Sequence, residues 1–273
     1  MNLDMDLVPD ETTPAARRRP GPACDDWTAV PELFRGSSGP LPRPYEEIFG
    51  PLRRGVCDGL VVVAQMGQSI DGRIATCGGR GEFINGAAGL DHLHRLRALV
   101  DAVVVGVGTA IADDPQLTVR RVAGCNPVRV VIDPRGRLPA SARMLRDDGA
   151  RRIVVTGRHN TAHYPSGVEV MPVPLAQAHA EPRAILAALA ARGLRRILVE
   201  GGSRTVSCFL AAGCLDRLHV VVAPMLLGAG QASLVLPPVE RAKDALRPPV
   251  RAHLLEDEVL FDVDLSGQRV PVG

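Results

Sequence analysis

Ile197-Leu198-Val199-Glu200-Gly201-Gly202-Ser203-Arg204-Thr205 is an apolar, partly β-branched run that ends in a carboxylate, two glycines and the start of a helical pattern. The apolar run is what a strand buried on both faces requires. Glycines at its end let a backbone approach a ligand closely, and amides at a helix start, with Ser203 and Thr205 as added donors, suit a phosphate. A dinucleotide pyrophosphate fits that description. The alternative is that Gly201-Gly202 only makes a tight strand-to-helix turn. The Rossmann pattern G-x-G-x-x-G is absent from this junction and from the other strand-to-helix junctions.

Outward from this stretch, short apolar runs predict further strands at Leu60 to Met66, Ala102 to Val107, Val128 to Ile132, Arg152 to Thr156, Val168 to Val173 and Leu218 to Ala223. A terminal strand is expected over Glu258 to Leu265. Helical periodicity marks Ala87 to Val100, Pro182 to Arg192 and Arg204 to Ala212. Strands alternating with helices predict an α/β domain with a mostly parallel sheet and helices on its faces. Residues 1–55 are rich in Pro, Gly and charge and have few apolar stretches, so they are expected to be disordered or draped on a core over 56–268.

Two other clusters follow predicted strands. In Gly106-Val107-Gly108-Thr109-Ala110-Ile111-Ala112-Asp113-Asp114-Pro115, Thr109 can donate to a phosphate or ribose and Asp113 can accept from a hydroxyl; a capped loop is the plain alternative. Ser69-Ile70-Asp71-Gly72-Arg73-Ile74-Ala75 also reads as a simple turn. Arg97 and Arg120 have the planar fork that clamps phosphates, or are solvated surface groups. His92 and His94 sit two apart in a helix, on different faces, so no metal site is assigned.

Composition narrows the class. A formal charge of +2 with mixed signs, and 3% aromatic residues, argue against a nucleic-acid partner. No apolar run is long enough for a bilayer, no signal peptide follows Arg17-Arg18-Arg19, and the six scattered cysteines read as free thiols, so a soluble cytoplasmic protein is expected.

Taken in order, S-I-D-G-R-I-A, H-R-L-R, V-G-V-G-T-A-I-A-D-D-P-Q-L-T-V-R, R-V-V-I-D, I-L-V-E-G-G-S and A-P-M-L-L-G closely resemble the riboflavin-pathway reductases, the family of the RibD C-terminal domain, over about residues 57–265. The resemblance implies a dihydrofolate-reductase-like fold, NADPH as hydride donor, a small heterocyclic substrate and a homodimer. The family reaction reduces 5-amino-6-(5-phosphoribosylamino)uracil by hydride delivery to C1′ of the ribose. Position by position, it implies cofactor contacts at Gly67, Phe83, Thr109, Asp113, Gly201 and the stretch Gly202 to Cys208, which includes Ser203, Arg204, Thr205 and Val206. It places substrate binding at Arg97, Leu117, Arg120 and Glu200, with Glu200 either handling a proton or orienting the substrate.

Departures fall mainly on the substrate side: Gln65 stands where the family commonly has lysine, Gly81 where it has serine and Phe83 where it has tryptophan, while Pro134 replaces a serine near the cofactor. The alternatives are therefore a reductase of a pterin or another small heterocycle, or an NADPH-binding protein without turnover. Many relatives carry a fused zinc deaminase; no H-x-E with a following P-C-x-x-C occurs in this sequence, so a separate polypeptide is expected to deaminate in any such pathway.

Overall fold

The structure, a computed structural model, describes residues 26–36, 39–55, 57–78, 84–176 and 179–272. After a short 3₁₀ turn come two brief helices, α1 (Val30–Arg35) and α2 (Tyr45–Phe49), and then β1 (Val61–Ser69), β2 (Arg73–Thr76), α3 (Ala87–Leu99), β3 (Ala102–Gly106) and α4 (Val107–Asp113). The chain continues through β4 (Val128–Ile132), β5 (Arg152–Gly157), β6 (Val168–Val173), the two-residue strands β7 (Leu175–Ala176) and β8 (His179–Ala180), α5 (Pro182–Ala190), β9 (Arg196–Glu200) and α6 (Ser203–Ala211). It closes with β10 (Arg217–Ala223), β11 (Gly230–Ala232), β12 (Val250–Leu255) and β13 (Glu258–Asp264).

The expected α/β class is observed. One sheet has the order β12-β13-β10-β1-β9-β3-β4-β5-β6. All neighbours from β10 to β6 run parallel, and β13 and β12 add antiparallel pairings at the C-terminal edge. The central strands are β-branched and buried on both faces, as a helix-covered parallel sheet demands. One face packs Val63, Val103, Val105 and Leu198 against Leu96 and Leu99 of α3 and against Phe34, Tyr45 and Phe49 of the N-terminal segment. The other packs Val62, Val104 and Val199 against Leu186 and Leu189 of α5 and Val206 and Phe209 of α6.

The N-terminal segment is anchored through Trp27, whose indole N–H donates to Ala123 O (2.7 Å) and whose ring meets Tyr45 and Phe49 edge-on. Two local expectations change. Val107–Asp113 is a short helix rather than a loop: Asp113-Asp114-Pro115 is its end, with Asp114 in the left-handed region at φ 39°. The edge strand β12 was not expected, because its alternating residues are mostly exposed and leave no apolar run to read.

The start of α3 is capped from a distant strand. Glu258 of β13, 1% exposed, accepts from Gly86 N (3.0 Å), Gly89 N (2.7 Å) and Asn85 Nδ2 (2.7 Å). A carboxylate on the orphan amides and positive dipole end of a helix fixes where that helix begins, and α3 carries a central side chain of the site.

Candidate active site

The carboxyl ends of β1, β3 and β9 open into a cavity of about 640 Å³, where ligands gather in open parallel sheets. It is lined by nine of the residues singled out in the sequence: Gly67, Arg97, Thr109, Asp113, Leu117, Arg120, Glu200, Gly201 and Gly202. Segments more than a hundred residues apart thus share one wall.

Its centre is a buried ion pair. Arg97 Nε donates to Glu200 Oε1 (2.7 Å) and Nη2 to Oε2 (2.6 Å), while Nη1 donates to Thr118 O (3.1 Å). Both side chains are 6% exposed. Because both carboxylate oxygens already accept from one planar fork, protonating either would forfeit a charge-assisted bond. This arrangement favours the orienting role for Glu200 over the proton-handling one.

Next to Glu200 the chain turns sharply. Gly201 has φ +69°, and a Cβ on it would sit 2.8 Å from Thr109 Cγ2, while one on Gly202 would sit 2.5 Å from Thr109 Oγ1. Larger residues would fill the space between the β9–α6 turn and α4. Helix α6 then opens with the amides of Ser203 and Arg204, which have no helical acceptor, while Thr205 N–H turns back to Gly202 O (3.0 Å). Ser203 is 1% exposed and its Oγ has no hydrogen-bond partner among the described residues. The remaining predicted cofactor positions are spread out: Arg204 is exposed, Thr205 lies half-buried against Gly106, and Val206 is buried in the core on the α5–α6 face. Phe83, like Gly81, lies outside the described residues.

The loop from Pro115 to Arg120 forms another wall of the cavity. Leu117, 1% exposed, holds φ +58°, a strained conformation for a branched side chain, costing on the order of 1–2 kcal/mol. The chain just after it is pinned twice, by the Arg97 bond to Thr118 O and by the Arg120 N–H, which donates to His94 Nδ1 (3.1 Å). Burial, followed by the positive charges of Arg97, Arg120 and Arg121, holds His94 down at about 3, so it stays a neutral acceptor. Burial raises the pKa of Asp113. Asp71 proves to be a turn residue: it accepts from Ser69 Oγ (2.5 Å), Leu227 N (3.1 Å) and Gly228 N (2.7 Å). It thereby joins two of the quoted motifs beneath the small β2–β11 sheet, which contributes Ile74, Ala75 and Gln231 to the cavity.

Sequence reading missed Asn85, Arg143 and Gln231, which also line the cavity. None sits at a strand end, and no local pattern marks them. Gln65 is in the wall too, 6% exposed, in register with Glu200 on one side and His219 on the other. Pro134 is not part of the wall.

Comparison with known proteins agrees with this geometry. The sequence model of the RibD C-terminal domain matches residues 61–252. The chain is 33% identical over 215 residues to the 2,5-diamino-6-ribosylamino-4(3H)-pyrimidinone 5′-phosphate reductase of Methanothermobacter thermautotrophicus, covering 76% of this chain and 98% of that protein. It is 34% identical over 206 residues to the riboflavin biosynthesis protein RibD of Aquifex aeolicus, covering 73% of this chain and 56% of that one. The crystal structure of a diaminohydroxyphosphoribosylaminopyrimidine deaminase/5-amino-6-(5-phosphoribosylamino)uracil reductase from Thermotoga maritima superposes with a TM-score of 0.66 at 28% identity, over 81% of this chain and 59% of that one. The chain therefore spans somewhat over half the length of these two bacterial proteins and nearly all of the archaeal reductase. With its motifs gathered around one cavity, the chain belongs to the RibD C-terminal domain family and is an oxidoreductase of it.

Proposed function

We propose that the chain is an NADPH-dependent reductase of a 6-(phosphoribosylamino)pyrimidine, of which 5-amino-6-(5-phosphoribosylamino)uracil is the reference substrate, and that it converts the ribosylamino group to a ribitylamino group. The observation that carries this reading is the single cavity in which the Arg97–Glu200 pair directly adjoins the Gly201-Gly202 turn. The names of the archaeal and Thermotoga relatives differ in the pyrimidine ring but share the phosphorylated ribosylamino arm.

The residues fit a dinucleotide. The glycine turn keeps the β9–α6 junction clear of side chains, the start of α6 offers open amides, and Ser203 Oγ is a buried, unpartnered group beside them. Thr109 and Asp113 face the same cavity. Bound there, NADPH would supply the hydride for C1′, while the C1′–O4′ bond of the ribose opens and the freed ring oxygen takes up a proton. The protein's task is alignment and exclusion of water. Arg97 fixes Glu200 as an oriented acceptor for substrate N–H or hydroxyl groups, Leu117 and Leu93 present apolar surface, and Arg120 stands at the mouth for an anionic group. The same reading includes a cytoplasmic homodimer.

The test is NADPH oxidation in single turnover with 5-amino-6-(5-phosphoribosylamino)uracil, alongside complementation of a strain lacking the riboflavin-pathway reductase. Oxidation with formation of the ribitylamino product supports the reading. Well-folded, well-expressed protein that fails in both assays overturns it.

A further inference from the structure

The cavity holds more positive charge than its own carboxylates neutralise. Each arginine that is buried among the described residues has a carboxylate partner: Arg97 with Glu200, Arg129 with Asp148, Arg152 with Asp147, Arg217 with Asp262 and Arg269 with Asp216. Arg121, beside the site loop, pairs with Asp91 at 2.5 Å. Arg120 and Arg143, neither of them fully buried, line the cavity with no carboxylate partner among the described residues. Among the described residues the only side-chain bond of Arg120 is a long one, Nη1 to Thr118 Oγ1 at 3.4 Å. Arg143, half-buried in the wall, forms no ion pair or side-chain hydrogen bond among the described residues.

Arg143 is nevertheless held in place. Its backbone N–H donates to Asp114 Oδ1 (2.7 Å), which ties the 3₁₀ turn Arg143–Leu145 to the end of α4. The two free guanidiniums also sense each other: after burial, the charges of Arg97 and Arg143 are the next causes that lower the pKa of Arg120. Cations set side by side at a cavity, with Arg97 already committed to Glu200, call for an anion carrying more than one charge. A phosphate monoester, with three acceptor oxygens and a charge near −2, matches two planar forks.

We propose that Arg143 and Arg120, on the wall of one cavity, form a phosphate seat that takes the 5′-phosphate of the substrate and so fixes the sugar at the Arg97–Glu200 pair. This assignment rests on the reductase reading for the identity of the substrate, but not for the anion site itself. A phosphate monoester has two possible sources here, the substrate and the 2′-phosphate of NADPH, and parallel titrations with ribose 5-phosphate and NADPH separate them.

The experiment is titration of the full chain with ribose 5-phosphate by calorimetry, with ribose and NADPH as parallel ligands. The proteins are wild type, Arg143→Ala, Arg143→Lys, and Arg146→Ala as a same-turn control whose side chain lies outside the cavity. Every variant keeps the backbone bond to Asp114, and thermal melting checks the fold. Arg143→Ala is expected to weaken ribose 5-phosphate by about 10- to 100-fold, the range for lost hydrogen bonds to a charged group, with NADPH affinity unchanged. Arg143→Lys should recover part of the loss, and Arg146→Ala should cause none. The same loss should appear in KM for the phosphorylated substrate more than in kcat. Absence of ribose 5-phosphate binding to wild type, equal binding by Arg143→Ala, an equal loss in Arg146→Ala, or a loss confined to NADPH would each overturn the seat. Should Arg143-dependent binding coexist with no reduction of the phosphoribosylaminouracil, the reductase reading fails and the seat stands. Reduction with an unchanged KM in Arg143→Ala is the reverse case.

Discussion

Two ends of one polar row behave differently. Across four adjacent strands, Asp262, His219, Gln65 and Glu200 lie in register, on the sheet face that α3 covers. At one end, Arg217 Nε donates to Asp262 Oδ1 (2.9 Å), His219 Nε2 lies 3.2 Å from the same oxygen, and His219 Nδ1 shares a 3.0 Å hydrogen bond with His92 Nε2 of α3. Phe49 stacks on His92 at 5.5 Å and closes that end. At the other end, α3 supplies Arg97 to Glu200, and the pair faces the cavity. The same sheet and the same helix therefore build a sealed charge network and an open one. The difference lies in what covers them: aromatic rings from the N-terminal segment on one side, and on the other only the residues that line the cavity.

Sealing sets the largest expected effect. Asp262 and His219 are fully buried. Burial pushes the Asp262 carboxyl up, but the nearness of His219 and the Arg217 hydrogen bonds outweigh it and hold it at about 2. Asp262→Ala leaves the buried Arg217 with only Asp264, at 3.0 Å, and takes the carboxylate away from His219, and should cost about 3 kcal/mol in urea unfolding, the low end for a broken buried pair. A loss below about 1 kcal/mol would mean that this end is hydrated and that the two ends do not differ. Glu200→Gln should cost less in stability, on the order of 1–3 kcal/mol, because Arg97 keeps an amide oxygen, Thr118 O and access to cavity water. In single-turnover reduction, however, it should lose on the order of 100-fold, since a displaced orienting group misaligns the reactants. An unchanged rate would remove Glu200 from the reaction.

How much of this was legible in sequence follows from the range of each interaction. The buried strands and the Gly201-Gly202 turn are local patterns, and the structure places them as read. Glu200 was legible because it ends such a strand. Its partner was legible only as a candidate fork, since the pairing of Arg97 with Glu200 spans 103 residues. The Glu258 cap on α3 spans 169 residues, and no local signal marks it. Helix α4 was read as a loop because glycines and Asp-Asp-Pro bracket only seven residues, too few to show a helical period. Arg143 was invisible for another reason: a lone arginine in a loop looks like a solvated one.

Acid separates the two ends by a smaller amount. Burial, and then the nearness of His219, hold His92 well below the ordinary 6.5, and His94 lies at about 3. Both are neutral when folded, so their stabilising contribution is complete above pH 6.5. It is lost as the pH falls, when the unfolded chain binds protons that the folded one refuses. Each should steepen the loss by roughly 1 kcal/mol per pH unit below that point, with Asp262 adding a further loss only below its ordinary 3.8. His94→Gln, whose amide oxygen can still accept from Arg120 N, should flatten the urea midpoint against pH between 6.5 and 3 and leave the remainder to His92. An unaltered slope would show that His94 protonates freely and does not pin the substrate loop.

The smallest stability effect belongs to the middle of the row, and it decides where sealed becomes open. Gln65 is as buried as Glu200, yet its side chain forms no hydrogen bond among the described residues, while both of its in-register neighbours are engaged. An unmatched buried amide is a cost of about 1–3 kcal/mol unless cavity water or a ligand meets it. Gln65→Met has a similar length and no such requirement, so it should leave stability unchanged or raise it by up to about 1 kcal/mol, while raising KM for the pyrimidine substrate. A destabilisation above about 2 kcal/mol would instead tie Gln65 to the His219 end. The sealed network would then reach to within one strand of Glu200, and Glu200 alone would remain for the substrate.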